Sequence, residues 1–332
     1  MKRLALFALC LTLFLTSCAG TPQAQETSIF AMDTLMSFTV YGKQSDLDRV
    51  TRTIFDLDAK LSVTGPKSLV STLNTQGRAE DPDLAALTQA AREIGDASGG
   101  ALDVTLYPVV KAWGFTTDSH RVPTSEELSR LLTQVDYTAL SADGKAVTLP
   151  QGYEADFGAL AKGYAGEVCA RMLRKAGVTS AILRLSGNIQ TVGAKPDGTP
   201  WRVGIQDPAG GSEELLGVLQ VEDQAVVTSG GYQRYFEEDG VVYHHIMDPS
   251  TGAPARSGLT SVTIISDSGT WADGLSTALF VLGREKGLDL WRSRRDFECV
   301  LVEDTGEVWI TPGLAGRFTL TAPSYILRTA EG

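Results

Sequence analysis

Apolar and polar residues follow two periods along this chain, in short runs separated by glycine-containing turns. F-T-V-Y (38–41), A-I-L-R-L (181–185), W-R-V-G-I (201–205) and S-V-T-I-I (261–265) are short, rich in β-branched residues and apolar or alternating, which predicts strands. Helical spacing predicts helices over 47–61, 83–97, 125–132, 160–174 and 271–282. In the fourth, Ala161, Tyr164, Ala165, Val168, Met172 and Leu173 fall on one face, which is the core face; Pro123-Thr124-Ser125 supplies a start signal for the third. The run from Cys299 to Thr311 predicts a hairpin turning at 304–306. Strands and helices interleave without a regular βαβ order. The expected class is therefore α+β, with mixed, mainly antiparallel sheets and helices packed on them.

The apolar pattern is different at the N-terminus. Lys2 and Arg3 precede an apolar run over 4–15 and then L-T-S-C-A-G. The run is shorter than the roughly 20 residues of a spanning helix and reads as a signal peptide, residues 1–17. Its apolar-then-small ending before Cys18 matches a lipoprotein cleavage site. The expectation is a chain exported and lipid-anchored at Cys18, on the extracytoplasmic face of a membrane, periplasmic or exterior. Residues 18–27 are small and polar and read as a flexible leash, with folding from Ser28 onward in a body spanning 28–332.

Charge narrows the partners. Loss of residues 1–17 leaves 27 basic against 40 acidic residues, a net of −13, so no basic surplus exists for nucleic acid. Cys169 and Cys299 lie in apolar patterns and read as buried thiols.

Three segments place polar residues where a core pattern does not ask for them. In A-D-F-G-A-L-A-K-G (155–163) a strand end is expected to pass through Gly158 into a helix carrying Lys162. Glycine lets the backbone approach a ligand, and the helix end and Lys162 favour an anion such as phosphate. A solvated lysine on an ordinary turn is the plain alternative. In W-A-D-G-L-S-T-A (271–278), Asp273 and Thr277 share a helix face, and two hard oxygens suit Mg²⁺. Against that, Asp273 reads equally as a first-turn acid and Thr277 as bonded to the preceding turn. In G-V-V-Y-H-H-I-M-D-P-S-T-G (240–252), a histidine at a strand end could act as a base or simply satisfy a turn carbonyl.

In this order, and together with A-M-D-T-L-M (31–36), S-L-V-S-T-L-N (68–74), A-L-D-V-T-L-Y-P-V-V-K-A-W-G-F (101–115) and V-V-T-S-G-G-Y-Q-R-Y-F (226–236), these motifs strongly resemble the ApbE-type FAD:protein FMN transferases over nearly the whole mature chain. The resemblance implies a T-fold-related architecture and a Mg²⁺-dependent reaction. FAD is split at its diphosphate, FMN is joined by a phosphoester to a Thr or Ser of an acceptor protein, and AMP leaves. It also implies that Asp273, Thr277 and the carbonyl of Ala159 hold the metal, that Asp156 and Lys162 contact FAD, and that Met32, a strand end at Ala101-Leu102-Asp103, and Ile246 line the flavin or adenosine pocket. His245 would be the base, with His244 the alternative, since consecutive strand side chains face opposite ways. Acceptors in the family are flavin-bearing subunits of membrane redox complexes or extracellular reductases.

Two positions depart from the family pattern. Thr64 stands where many members carry a stacking Tyr, and Ser186 opens the Ser186-Gly187-Asn188 turn where Gly-Gly is common; a small serine is expected to keep that turn. A Mg²⁺-dependent FAD diphosphatase would use the same residues with water as acceptor. A non-catalytic FAD-binding lipoprotein would leave the Asp273 and Thr277 pair without a task.

Overall fold

The computed structural model describes residues 23–117, 119–211 and 213–332. Nine strands pair in the order β1 (Ala24–Ala31), β2 (Thr34–Tyr41), β6 (Ala181–Leu185), β7 (Asn188–Val192), β10 (Ala225–Gly230), β13 (Leu259–Ser266), β14 (Glu298–Glu303), β15 (Glu307–Ile310) and β17 (Ile326–Thr329). Only the β15–β17 pair is parallel, as the mixed, mainly antiparallel expectation required. Two three-stranded sheets accompany it, β16 (Phe318–Leu320), β9 (Leu215–Val221) and β8 (Trp201–Gln206), and β3 (Arg78–Glu80), β5 (Ala146–Thr148) and β4 (Ser141–Asp143). The remaining hairpin is β11 (Tyr235–Glu238) with β12 (Val241–His244). The helices are α1 (Gln44–Leu61), α2 (Leu69–Gln76), α3 (Pro82–Ser98), α4 (Tyr107–Ala112), α5 (Ser125–Leu132), α6 (Gly158–Lys175) and α7 (Gly269–Arg294).

The period-2 pattern sorts side chains to two cores. Met36, Phe38, Leu183, Val227, Val262 and Ile264 face the helical layer, while Ile182, Val226, Ile265, Val300 and Val302 pack on Trp201, Val203 and Leu219 of the β8–β9–β16 sheet. A strand covered on both faces has no solvent side, which explains why β13 is buried along nearly its whole length, its serines and threonines included. α5 occupies the residues its pattern indicated, started by the Thr124 hydroxyl accepting from Glu127 N. α7 runs beyond the expected end at Leu282, but Gly283, at φ 79°, breaks the helix there, so the pattern located a real discontinuity.

Three expectations are corrected. Signal peptide and Cys18 lie outside the described residues, but the leash read over 18–27 ends early: Ala24 to Thr27 pair with Tyr41 to Phe38 in β1. Backbone pairing at a sheet edge is indifferent to small polar side chains, so composition concealed it. No strand runs into Gly158, since β5 ends at Thr148; the irregular segment between is held instead by Asn74, whose side chain bonds both the N–H and the carbonyl of Ala155 at 2.8 and 2.9 Å. Nor do Ala101-Leu102-Asp103 end a strand: Asp103 caps a 3-10 turn (Val104–Leu106), its carboxylate accepting from Thr105 N, Thr105 Oγ1 and Tyr137 N. Segment α2 was not indicated by any helical pattern at all and is started by Ser68 accepting from Ser71 N.

The register places several turns at one end of the large sheet. Met36 pairs with Leu185 and Asn188 with Val227, so the Met32-Asp33 turn, the Ser186-Gly187 turn and the end of β10 lie side by side. Met32, Asp33 and Ser186 all adopt left-handed backbone, at φ 48°, 57° and 62°, where residues other than glycine are strained by about 1 kcal/mol or more each.

Candidate active site

Helices α6 and α7 cross with their backbones in contact. A Cβ on Gly163 would stand 2.1 Å from the carbonyl oxygen of Gly269 and 2.6 Å from Asp273 Cβ; one on Gly269 would stand 2.6 Å from the Gly163 oxygen. Glu167, one turn further along α6, accepts from Ser268 Oγ, Thr270 N and Thr270 Oγ1 at 2.7, 3.1 and 2.8 Å, joining the start of α7 to α6. The crossing sets Asp273 against the first turns of α6.

Asp273 is buried, and Gly163 N–H donates to its Oδ2 at 2.8 Å. In an α-helix that same N–H belongs to the carbonyl four residues back, which is Ala159. The carboxylate therefore lies against the turn of α6 that follows Ala159. Thr277 lies one turn further on the Asp273 face, half-buried, and its hydroxyl takes no partner among the described residues. It is Ser276, its neighbour, that bonds back to the Asp273 carbonyl, at 2.8 Å, and to Ser229 at 2.7 Å. A carboxylate, a hydroxyl and a carbonyl are three hard oxygen donors, and this set fits Mg²⁺, which keeps few protein ligands. Burial pushes the Asp273 carboxyl above its usual range; Lys162, the nearby Asn188 amide, which stops short of hydrogen-bond geometry, and the Gly163 N–H oppose it.

Lys162 acts on more than Asp273. Its ammonium also favours the charged form of Asp156, whose Oδ1 accepts from Gly158 N at 2.9 Å and whose carboxyl is raised mainly by burial, with Arg234 assisting Lys162 and Asp33 opposing. It bears on His245 as well. Burial first, then the positive charges of Arg234 and Lys162, push the His245 imidazole down to about 4, so it is neutral at physiological pH.

The two adjacent histidines separate as strand alternation requires. His244 is buried, its Nε2 3.0 Å from the Ala255 carbonyl and its ring edge-on to Phe280. His245 is half-buried, with Nδ1 3.1 Å from the Arg234 carbonyl and Phe115 edge-on at 6.4 Å. A carbonyl only accepts, so Nδ1 carries the proton and Nε2 keeps a bare lone pair.

Of the other expected residues, Met32 packs on the main core at its strained turn, Ile246 is buried beyond β12, and Leu102 reaches α7 beside Gly274. Ala101 is buried too. Both Asp103 oxygens are engaged in holding their own segment to Tyr137. Thr64 is exposed, its hydroxyl 3.3 Å from that of Ser62. Sequence reasoning missed Arg234, Asn188 and the Gly163–Gly269 contact. Arg234 sits within the motif V-V-T-S-G-G-Y-Q-R-Y-F, but nothing in the pattern distinguishes it from a solvated arginine; the glycine contact joins residues distant in the chain and leaves no periodic signal.

A mixed α+β body whose sheet end gathers a buried carboxylate, a lysine on a helix first turn, and a neutral histidine is the framework of an enzyme acting on an anionic ligand. The family follows from comparison. Residues 32–301 match the model of the ApbE family, and the chain belongs to that family. It is 32% identical over 346 residues to the FAD:protein FMN transferase of Treponema pallidum, covering 96% of each chain, and 34% identical over 255 residues to that of Vibrio cholerae, covering 74% of this chain and 75% of the relative. Among solved structures it resembles the ApbE protein of Thermotoga maritima (TM-score 0.82, 30% identity, 89% of this chain and 99% of that one) and the apo flavinyl transferase ApbE of Pseudomonas stutzeri (TM-score 0.79, 29% identity, 92% and 99%).

Proposed function

We propose that this chain transfers FMN from FAD to a Thr or Ser hydroxyl of an acceptor protein, forming a phosphoester and releasing AMP. The observation that carries the reading is the α6–α7 crossing, which sets the buried Asp273 carboxylate on the Gly163 N–H, next in the chain to Lys162. Phosphoryl transfer demands positioning and neutralisation of diphosphate charge more than covalent chemistry. Lys162 and the positive end of the α6 dipole receive the diphosphate, and Asp156 orients FAD from the same turn. Mg²⁺ held by Asp273, Thr277 and the Ala159 carbonyl would neutralise the charge that builds on the diphosphate oxygens. His245 Nε2 takes the proton of the acceptor hydroxyl, while Met32, Leu102 and Ile246 line the apolar part of the pocket.

The relatives carry this activity in their names, which supports the reading. We also infer that Cys18 carries a lipid that holds the enzyme on an extracytoplasmic membrane surface, among flavin-bearing redox proteins that serve as acceptors. The test is to mix the protein with FAD, Mg²⁺ and a flavin-acceptor domain. A band should appear that stays fluorescent after denaturation, and Asp273→Ala should abolish it. FMN and AMP without labelled protein, across several acceptors, would replace transfer with hydrolysis. Intact FAD would overturn catalysis altogether.

A further inference from the structure

Arg234 joins β10 to the β11–β12 hairpin, and the mechanism above gives it no task. Its main chain and side chain point to different partners. The carbonyl accepts two hydrogen bonds from a single residue, from His245 N and His245 Nδ1, each at 3.1 Å. The side chain donates from Nη2 to the Phe115 carbonyl at 3.2 Å, and the Phe115 ring in turn meets the His245 ring edge-on. Burial holds the His245 imidazole low, the hydrogen bond to the Arg234 carbonyl opposes this, and the Arg234 guanidinium adds to the lowering; it also draws the Asp156 carboxyl down against its burial. One residue therefore ties the root of the hairpin to the end of α4 and faces the histidine from both its backbone and its charge.

We propose that Arg234 is a positioning residue for the transfer: its carbonyl fixes the tautomer of His245 that leaves Nε2 able to take a proton, and its guanidinium keeps a fixed positive charge beside that ring. The proposal deepens the reading of His245 as base and rests on it. In the step it serves, the acceptor oxygen bonds the FMN phosphorus as its proton passes to Nε2. The bond from that phosphorus to the bridging oxygen breaks, and the electron pair departs with AMP. An imidazole already protonated has no lone pair for this, so a permanent cation beside it protects the base form. The other charged or titratable groups acting on the ring are Lys162 from α6 and His244 from its own strand; His120 lies on the far side of this cluster, stacked on Phe236 at 5.0 Å and edge-on to Phe115 at 5.4 Å.

A merely structural tether to Phe115 is the competing account, and two substitutions separate them. Arg234→Gln keeps an N–H donor and removes the charge; Arg234→Lys keeps the charge and loses the planar fork. With histidines isotopically labelled in the full chain, an NMR titration without FAD reads the His245 midpoint, about 4 in the wild type. Arg234→Gln should raise that midpoint by roughly one pH unit, with Arg234→Lys close to wild type. The acid limb of kcat/KM for FAD should move in step. An unmoved midpoint in Arg234→Gln, or an equal shift in both variants, overturns the proposal. A midpoint that moves while the acid limb of transfer stays fixed overturns it differently, by removing His245 as the base.

Discussion

The site is made from two regions of opposite construction. On one side, α6 and α7 touch backbone to backbone at Gly163 and Gly269, Asp273 is buried at the crossing, and Glu167 secures the start of α7. On the other, His245 follows a two-stranded hairpin whose Tyr235, Val241 and Val242 are exposed and whose ring packing belongs to a separate small cluster with Trp113, Phe115 and Phe236. The groups proposed to meet the diphosphate are therefore set against the main core, and the proposed base is mounted on a peripheral element. Ligand-holding geometry is fixed by the same contacts that fold the protein. Proton transfer can be altered with little cost to the fold.

That contrast is broken most directly at the crossing. Gly163→Ala should destabilise the protein by about 3 kcal/mol, because backbone rather than a flexible side chain occupies the space of the new methyl. Thermal unfolding would measure it, and an unchanged midpoint would mean the helices separate freely. His245→Asn should leave the unfolding temperature nearly unchanged and lower kcat by roughly 10²- to 10⁴-fold while FAD binding survives. Equal loss of binding would place His245 among the ligand contacts instead.

A pH series sharpens the same side. The folded state lowers the His245 value from 6.5 to about 4, so the neutral form is favoured by folding. Its contribution to stability is present above the ordinary histidine range and is lost as pH falls through about 4; kcat/KM should lose activity over that same acidic range, not near 6.5. The smallest effect belongs to Ser186→Gly. Ser186 holds φ 62°, so glycine should stabilise the turn by about 0.5–1 kcal/mol in denaturant unfolding.

Ser186 also illustrates what the sequence could and could not disclose. Size suggested that serine fits the turn, whereas the demand at that position is on φ. The face of α6 was legible because its apolar residues recur at helical spacing and packing is local to the helix. Strand alternation announced that His244 and His245 diverge; only the tertiary fold reveals that His244 goes to Ala255 and Phe280. Asp103 looked available for a ligand, yet a carboxylate two residues before a threonine can cap its own turn, and here it does. The α6–α7 contact was hidden for a different reason. Glycine marks a close approach without saying to what.

The early start of β1 has one more consequence. With Ala24 already in the sheet, a lipid on Cys18 is separated from folded backbone by six residue steps, a reach of about 20 Å at full extension. Such a tether acts as a gauge of height. On the proposal that Cys18 is lipidated, it would confine the working volume of the enzyme to a thin shell over the bilayer, and acceptors that present their hydroxyl close to the membrane would be the ones served.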